Sequence, residues 1–265
     1  MSDDTHHFPT DGPIHLYVRN GRGTVEVVAE DITETTVDVV GRDRALARVS
    51  ASDDGRRVSI DVPRHRRLGN APRLEITVHV PTGSTADLGT ASASIATRGR
   101  LARADAKSAS GPISIEQVEG DCHAHAASGD ISLGTIEGAA TLKSASGDLR
   151  VARVGGRCTA KSASGAVDVG WAGDLVSAAT ASGAITVRDA ARGEVICKST
   201  SGDVAVGVRK GTLVWLDLTT VSGRTSSGLS PDDAPGGREE PLTVKVQTVS
   251  GDITISPSGA DAAAA

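Results

Sequence analysis

The amino-acid sequence predicts an all-β protein, a single-stranded parallel β-solenoid (β-helix) built from rungs of about 18 residues. A motif returns at a fixed step, apolar residues recur in the same columns of each copy, and turn residues separate the apolar segments. The motif reads Ser/Thr-x-Ser-Gly, and its glycines lie at positions 111, 129, 147, 165 and 183, then 202, 223 and 251. One such repeat cannot bury its apolar face alone, so the copies must stack on one another.

Each copy of the repeat predicts two short strands. Apolar residues at i and i+2 after a motif glycine, such as Ile113 and Ile115, are typical of a half-buried strand. Cys122 and Ala124 mark a second strand, and Glu119-Gly120 marks the turn before it. Stacking places equivalent residues about 4.8 Å apart, and the crossover preference of parallel strands favours a right-handed solenoid.

The serines and glycines of the motif are interpreted as structural. Paired hydroxyls such as Ser144 and Ser146 are predicted to form an internal hydrogen-bond ladder at the bend. A serine that recurs in successive rungs does not fit a catalytic nucleophile, which is expected to be singular. The predicted structural bend motif comprises Ser110, Gly111, Ser128, Gly129, Ser146, Gly147, Ser164, Gly165, Ser182, Gly183, Ser201 and Gly202.

The rest of the sequence predicts the domain organisation. Residues 1–10 are expected to be disordered, and residues 11–88 to form a β-rich section that continues into the solenoid and caps its open edge. The solenoid repeats are predicted over residues 89–256. They include a mobile Pro-, Gly- and Asp-rich loop at 224–241, and a disordered tail is expected at 257–265.

One turn in the N-terminal section has a characteristic sequence. Asn20-Gly21 lies between two alternating apolar segments and predicts a β-hairpin, because both residues tolerate the positive φ of a tight turn.

Composition and charge narrow the function classes and the partners. The formal net charge of −5 argues against binding nucleic acid by bulk charge. No apolar run reaches the length of a membrane span, and the polar start Met1–His7 is unlike a signal peptide, so a cytoplasmic location is expected. We expect a protein partner or self-association, with no nucleic acid, no direct membrane insertion and no small-molecule ligand.

The three cysteines are interpreted as reduced, buried and acting as small apolar side chains. Cys122 and Cys158 share a column two rungs apart, about 9.6 Å, whereas a disulfide tolerates less than about 7 Å between Cα atoms. Cys197 lies one column over. No metal or catalytic role is assigned to them.

Basic residues form the candidate interaction surface. The segment 63–73 carries Arg64, Arg66 and Arg67, and is either a solvated connection or a contact for an acidic partner, phosphate or anionic lipid. Outward positions of successive rungs form one file of Lys107, His125, Lys143, Lys161 and Lys198, and a second file of Asp130, Asp148, Asp203 and Asp252. Such files are either a binding stripe or the ordinary charged surface of strands, which blocks edge pairing.

No residues point to catalysis or to a cofactor. His123 and His125 lie on one strand face, which provides two imidazole ligands for a zinc site. The neighbouring rung, however, offers Thr141 and Lys143 rather than a third ligand. The two Trp, one Tyr and one Phe are scattered, no carboxylate pair is indicated by spacing, and no nucleophile elbow or phosphate loop occurs. We predict no catalytic, cofactor-binding or metal-binding residues.

The quoted motifs resemble the bacterial toastrack family, a domain of unknown function also described as candidate adhesins with β-strand repeats. The serial Ser-Ala-Ser-Gly-Asp motif, the ending Thr-Val-Ser-Gly-Asp-Ile-Thr-Ile and the phrase Leu-Glu-Ile-Thr-Val-His-Val-Pro-Thr-Gly at 74–83 carry the resemblance, which covers about residues 14–256. The high Ala, Gly and Arg content is similar to that of actinobacterial members. The resemblance implies a β-solenoid with a non-enzymatic role, some relatives being linked to envelope-stress sensing.

Three functional hypotheses follow. The first is a non-enzymatic scaffold for interaction or assembly, linked to envelope-stress signalling through a separately encoded partner. The second is an adhesin-like surface or sugar-binding module, against which the scarcity of aromatic residues counts. The third is a solenoid hydrolase or lyase acting on polysaccharides.

Overall fold

The computed structural model describes residues 4–63, 72–229 and 241–259. Within these ranges the chain forms β-strands, and its one helical segment is a single 3-10 turn at Arg44–Leu46. The described residues contain no helix with the length and apolar character needed to cross a membrane. The predicted all-β class is confirmed.

The chain divides into two compact units, residues 1–134 and residues 135–265. The strands up to the division are β1 (Asp4–Pro9), β2 (His15–Asn20), β3 (Arg22–Glu30), β4 (Glu34–Val40), β5 (Arg48–Ala51), β6 (Arg57–Asp61), β7 (Arg73–Pro81), β8 (Thr85–Thr90), β9 (Ser94–Leu101), β10 (Arg103–Ser108), β11 (Ile113–Val118), β12 (Cys122–Ala126) and β13 (Ile131–Ile136), which crosses it. Those of the second unit are β14 (Ala140–Lys143), β15 (Leu149–Val154), β16 (Cys158–Lys161), β17 (Val167–Ala172), β18 (Val176–Thr180), β19 (Ile185–Ala190), β20 (Gly193–Ser201), β21 (Val204–Val208), β22 (Val214–Thr220), β23 (Thr225–Ser227), β24 (Leu242–Ser250) and β25 (Ile253–Pro257).

Each rung contributes one strand to each of two sheets, as the repeat predicts. We call sheet A the sheet whose strands follow a bend glycine, and sheet B the sheet whose strands precede one. In the first unit the order is β1-β4-β7-β3-β9-β11 in sheet A and β5-β6-β2-β8-β10-β12 in sheet B. The rungs pair in parallel, with Ile113 beside Ile95 and Cys122 beside Ala104. The parallel β-solenoid is therefore confirmed.

The first unit has two features that the local sequence pattern does not reveal. Residues 1–10 were expected to be disordered, but β1 pairs antiparallel with β4, and Thr5 Oγ1 donates a 2.6 Å hydrogen bond to Asp38. The hairpin prediction at Asn20-Gly21 is wrong, because β2 pairs with β6 and β8 whereas β3 pairs with β7 and β9. The segment is a rung bend instead, in which the buried Asn20 amide donates to the carbonyl of Leu74 at 3.1 Å.

The second unit is parallel throughout the pairings of its described strands. Its order is β15-β17-β19-β21-β25-β23 in sheet A and β14-β16-β18-β20-β24-β22 in sheet B. The last rung in the chain, β24–β25, lies between β20–β21 and β22–β23. The expected loop 224–241 contains β23, with residues 230–240 outside the described ranges, and the expected tail 257–265 begins at the last residue of β25, with residues 260–265 outside them.

The core of each unit consists of columns of small aliphatic side chains. In sheet A of the second unit, register pairing stacks the fully buried residues of one column in adjacent rungs, namely Leu149, Val167, Ile185, Val204 and Ile253. Burying each such side chain contributes about 1.5–3 kcal/mol. Among the described residues the buried apolar side chains are Ile, Leu, Val, Ala and Cys, with no aromatic ring.

The bend glycines are required because adjacent rungs approach closely there. A Cβ on Gly165 would lie 2.0 Å from the carbonyl oxygen of Gly147, and one on Gly183 would lie 2.3 Å from that of Gly165. The next glycine, Gly202, stands in the same relation to Gly183 at 2.1 Å. Because the clashing atom belongs to the backbone of the neighbouring rung, no side-chain movement relieves the overlap.

We predict that Gly165→Ala lowers the free energy of unfolding by about 3 kcal/mol, because two rungs must separate locally. Denaturant unfolding followed by circular dichroism measures the change. Gly228→Ala is the matched control: a Cβ there would meet its nearest atom at 3.8 Å, an ordinary contact, and the backbone is not left-handed, so we expect a change within about 0.5 kcal/mol. Equal stability of the two variants contradicts the close-approach argument.

Candidate functional site

The hydroxyl ladder at the bend is formed, but by the first Ser or Thr of the motif rather than by both hydroxyls, and the copy that begins at Ala126 has no hydroxyl there. Ser162 Oγ accepts the N–H of Gly165 at 2.9 Å and donates to the carbonyl of Gly147 at 3.1 Å. Thr180 Oγ1 donates in turn to the Gly165 carbonyl at 3.1 Å. The ladder is interrupted at Ser199, whose buried hydroxyl has no partner among the described residues.

The second serine of each motif points to solvent, which corrects the interpretation that both hydroxyls are internal. The exposed positions are Ser110, Ser128, Ser146, Ser164, Ser182 and Ser201. Their backbones take part in the stack: the N–H of Ser164 donates to the carbonyl of Ala145 at 3.0 Å. Nothing in the structure explains why the side chain there is serine. The motif glycines Gly111, Gly129, Gly147 and Gly165 are buried, and Gly183 and Gly202 are half-buried.

The aspartates that follow the bend glycines join the rungs together. Asp148 Oδ1 accepts the backbone N–H of Ala166 at 3.0 Å, and Asp203 Oδ1 accepts that of Asp252 at 2.9 Å. Asp252 does the same for the N–H of Arg224 at 2.8 Å. These carboxylates satisfy donors of the next rung, so this part of the outward charge has a structural role.

The lysine file of the second unit has no such partners. Lys143 and Lys161 are register neighbours in sheet B, Lys161 is next to Ala179, and Ala179 is next to Lys198. All three lysines are exposed, and none of them forms an ion pair with a described residue. Adjacent parallel strands are about 4.8 Å apart, so the Cα atoms of the three lysines span about 14 Å.

Several other charged side chains of the second unit are paired. On the outer face of sheet A, Arg188 Nε donates to Asp168 at 2.9 Å, and Arg209 pairs with Asp189, which raises the pKa of Arg209 through a hydrogen bond. Arg153 lies 3.7 Å above the ring of Trp171. On sheet B, Lys245 pairs with Glu194 at 2.8 Å. The lysine file is therefore a local excess of positive charge on an acidic chain.

The remaining predicted site residues belong to the first part of the chain. Lys107 is exposed on β10 of the first unit, beside His125 of β12. Arg64, Arg66 and Arg67 lie outside the described residues. Within the described ranges no three His, Cys, Asp or Glu side chains are grouped so as to hold a metal ion, and His123 has Asp105 as its register neighbour.

An open acidic depression on the first unit was not predicted from the sequence. It is lined by side chains that include Glu30, Glu34, Asp38 and His79, and His79 Nδ1 lies 3.6 Å from a Glu30 oxygen. These residues belong to β3, β4 and β7 and to the connection after β3, and they meet because β7 lies between β3 and β4. No local sequence signal indicates that pairing.

In a comparison with known protein families, the Toastrack DUF4097 model matches residues 14–256 of the chain. The chain belongs to the Toastrack family. The resemblance inferred from the bend motif and the two flanking phrases is thereby confirmed. No curated protein has a significant sequence match to the chain.

Solved structures similar to this Toastrack chain include one with the same fold and one with a more distant likeness. A candidate adhesin from Bacteroides fragilis is 13% identical, with 97% of each chain covered and a TM-score of 0.54. A candidate lipid-binding protein from Parabacteroides distasonis is 14% identical, with 95% of this chain and 96% of that chain covered and a TM-score of 0.45. The likeness to the Bacteroides fragilis structure establishes fold and not function at this identity.

The three cysteines are free and buried, as predicted. Burial raises the pKa of the Cys158 and Cys197 thiols to about 12, and burial with the nearby Asp105 carboxylate does the same for Cys122. Because the thiolate is the nucleophile, these side chains are inert in the folded protein.

We predict that Ser162→Ala costs about 1–3 kcal/mol of unfolding free energy, because it leaves the Gly165 N–H and a Gly147 acceptor unpaired at a buried position. Ser164→Ala, two residues away and exposed, is the control and should change stability by less than about 0.5 kcal/mol. Chemical unfolding of both variants measures the difference. A Ser162→Ala protein as stable as its control contradicts a stabilising ladder.

We also predict that the native thiols resist alkylation by iodoacetamide at pH 8 until the protein unfolds. Ala163→Cys, at an exposed bend position, provides a control thiol that reacts at once. Since the folded pKa of Cys158 is raised from 9.0 to about 12, the unfolded state releases that proton first, and stability falls as pH rises above about 9. Rapid native-state labelling of the wild-type thiols contradicts their burial.

Proposed function

We propose that this Toastrack chain is a non-enzymatic β-solenoid scaffold that binds an acidic protein segment along Lys143, Lys161 and Lys198. The observation that carries the proposal is the contrast between the unpaired lysine file and the ion pairs that Arg188, Arg209 and Lys245 form in the same unit. A file of like charges persists here although ion pairs neutralise the other outer face. Uncompensated charge in a regular array is suited to a partner of the opposite charge.

The surface around the lysines favours a protein segment. Thr141 and Thr159 are register neighbours, as are Thr159 and Ser177, and they form a row of small, half-buried side chains beside the file. This row is flat enough for an extended chain to lie against it. Two unit charges about 5 Å apart repel by about 0.8 kcal/mol in water, and a carboxylate placed between them relieves that repulsion.

The setting of the scaffold is also part of the proposal. We place the chain in the cytoplasm and its membrane-bound partner, linked to envelope-stress signalling, on a separate polypeptide, as the family resemblance suggests. Nucleic acid is disfavoured as the partner because the net charge is −5 and the file is short. Fractionation of the native cells tests the location.

We predict that Lys143→Glu/Lys161→Glu weakens binding of a poly-glutamate peptide about 10- to 100-fold, and that raising the salt concentration weakens wild-type binding in parallel. Arg157→Glu/Lys210→Glu is the control, because it makes the same change in net charge at exposed positions away from the file. Isothermal titration of the full chain gives the affinities. The control should bind as the wild type does.

A pulldown from native lysate extends this experiment to the natural partner. A protein retained by the wild type and the control, but lost by the lysine variant, supports the scaffold. Equal retention by all three chains contradicts the assigned surface. Cell-wall glycan captured in place of a protein supports the adhesin-like alternative instead.

A further inference from the structure

We infer that two copies of this chain associate through the free edge of β22, by antiparallel pairing of β22 with β22. In the part of the chain that the structure describes, β22 ends its sheet and pairs with β24 alone. One edge of the strand therefore presents unpaired backbone donors and acceptors. Such an edge is a template for another strand.

The columns of core side chains continue to β22, and among the described residues no further strand packs on their last members. Leu216 and Leu218 stand in register with Val244 and Val246, which are fully buried, yet the two leucines are only half-buried. Close to them, Leu213 is 53% exposed and Trp215 is 70% exposed. Among the described residues, the other large apolar side chains that are exposed are two valines at the bend, Val221 and Val249.

The other half of the same rung already ends in polar side chains. Thr225 and Ser227 of β23 stand in register with the buried Ile253 and Ile255. Hydroxyl groups at these positions remain solvated without loss, which is how terminal repeats of stacked proteins end. The need for a cover is therefore confined to β22.

The cover must be a strand with apolar residues at i, i+2 and i+4, because only that pattern continues the columns. The segments outside the described residues lack this pattern in their sequences. They are 1–3, 64–71, 260–265 and Ser-Pro-Asp-Asp-Ala-Pro-Gly-Gly-Arg-Glu-Glu at 230–240. A second β22 supplies it through Val214, Leu216 and Leu218. The strand that needs the cover is thus itself a suitable one.

One antiparallel register makes the pairing self-complementary. When Leu216 lies opposite Leu216 of the second copy, Val214 lies opposite Leu218, so that aliphatic side chains meet on the core side. On the outer side Trp215 then lies opposite Asp217. A register centred on Asp217 instead would place two carboxylates directly opposite each other, which is unfavourable.

This geometry limits the assembly to a dimer. The two-fold axis passes through the middle of the strand pair, so each copy uses the same edge and neither leaves it free for a third. The interface does not involve Lys143, Lys161 or Lys198. It goes beyond the proposed function, and the lysine variant described above should dimerise as the wild type does.

Size-exclusion chromatography with light scattering of the full chain tests the proposal over a concentration series. We expect a dimer, with Leu216→Asp raising the dissociation constant at least about 100-fold, because two buried carboxylates would then meet at the two-fold axis. Ala205→Asp, on the outer face of the interior strand β21, is the control and should leave the dimer intact. A monomer at every concentration, or a dimer unaffected by Leu216→Asp, overturns the inference.

A disulfide test identifies the register and does not depend on the folding of a charged variant. Opposed Cα atoms in antiparallel strands are about 4.5–5.5 Å apart, within the range that a disulfide spans, so Leu216→Cys should form a covalent dimer under mild oxidation. Thr219→Cys is an exposed position of the same strand, and its two copies would lie about 20 Å apart. The native cysteines are buried and do not compete. No cross-link at Leu216→Cys, or equal cross-linking at both positions, overturns the proposed pairing.

Discussion

The fold depends on the close contact between the backbones of adjacent rungs at the bend. The carbonyl oxygen of Gly147 occupies the space that a Cβ on Gly165 would need, and Ser162 joins both residues through its hydroxyl. This contact sets the rung spacing on one side of the core, and the parallel strands must then stack in register. The aliphatic columns follow from that register, because equivalent residues of successive copies are forced into contact. The repeated motif thus encodes a spacing, and burial of the columns supplies most of the stabilisation.

The same register acts on the outer surface, where it brings like charges together. Each outward position meets its equivalent in the next rung, so a lysine repeated in the sequence becomes a file of lysines. The outer face of sheet A avoids this effect by alternating the signs, as in the pair of Arg188 with Asp168. The lysine file of sheet B keeps its excess charge. Ion pairs at these lysines would also stabilise the protein, so the absence of ion pairs there is an argument that the file recognises a partner.

The periodic part of the structure could be predicted from the sequence, because column membership depends only on spacing. Ile113 beside Ile95 and Lys143 beside Lys161 follow directly from the repeat. The order of the outer rungs could not be predicted, since β2–β3 and β24–β25 carry the same local pattern wherever they insert. Asn20-Gly21 shows the limit well: two residues that suit a hairpin turn also suit a rung bend, and only long-range pairing decides between them. The role of Asp148 as an acceptor for the next rung likewise depends on the stack and not on the motif alone.

A stack of identical rungs has no intrinsic reason to stop, so the way it ends is informative. In the rung β22–β23, which ends the stack of the second unit, Arg224 stands in the position that Asp252 occupies in the neighbouring rung β24–β25. No carboxylate is therefore offered to a further backbone N–H. Thr225 and Ser227 replace the aliphatic residues of sheet A in the same rung. Three changes thus end the stack on that side, whereas β22 retains the aliphatic pattern, an open edge and an exposed tryptophan. Placing β24–β25 inside the stack also makes β22 an internal segment of the chain, which is held at both ends and protected from fraying. An apolar edge that is kept in place while its neighbour is made polar is better explained by contact with a second strand than by incomplete termination.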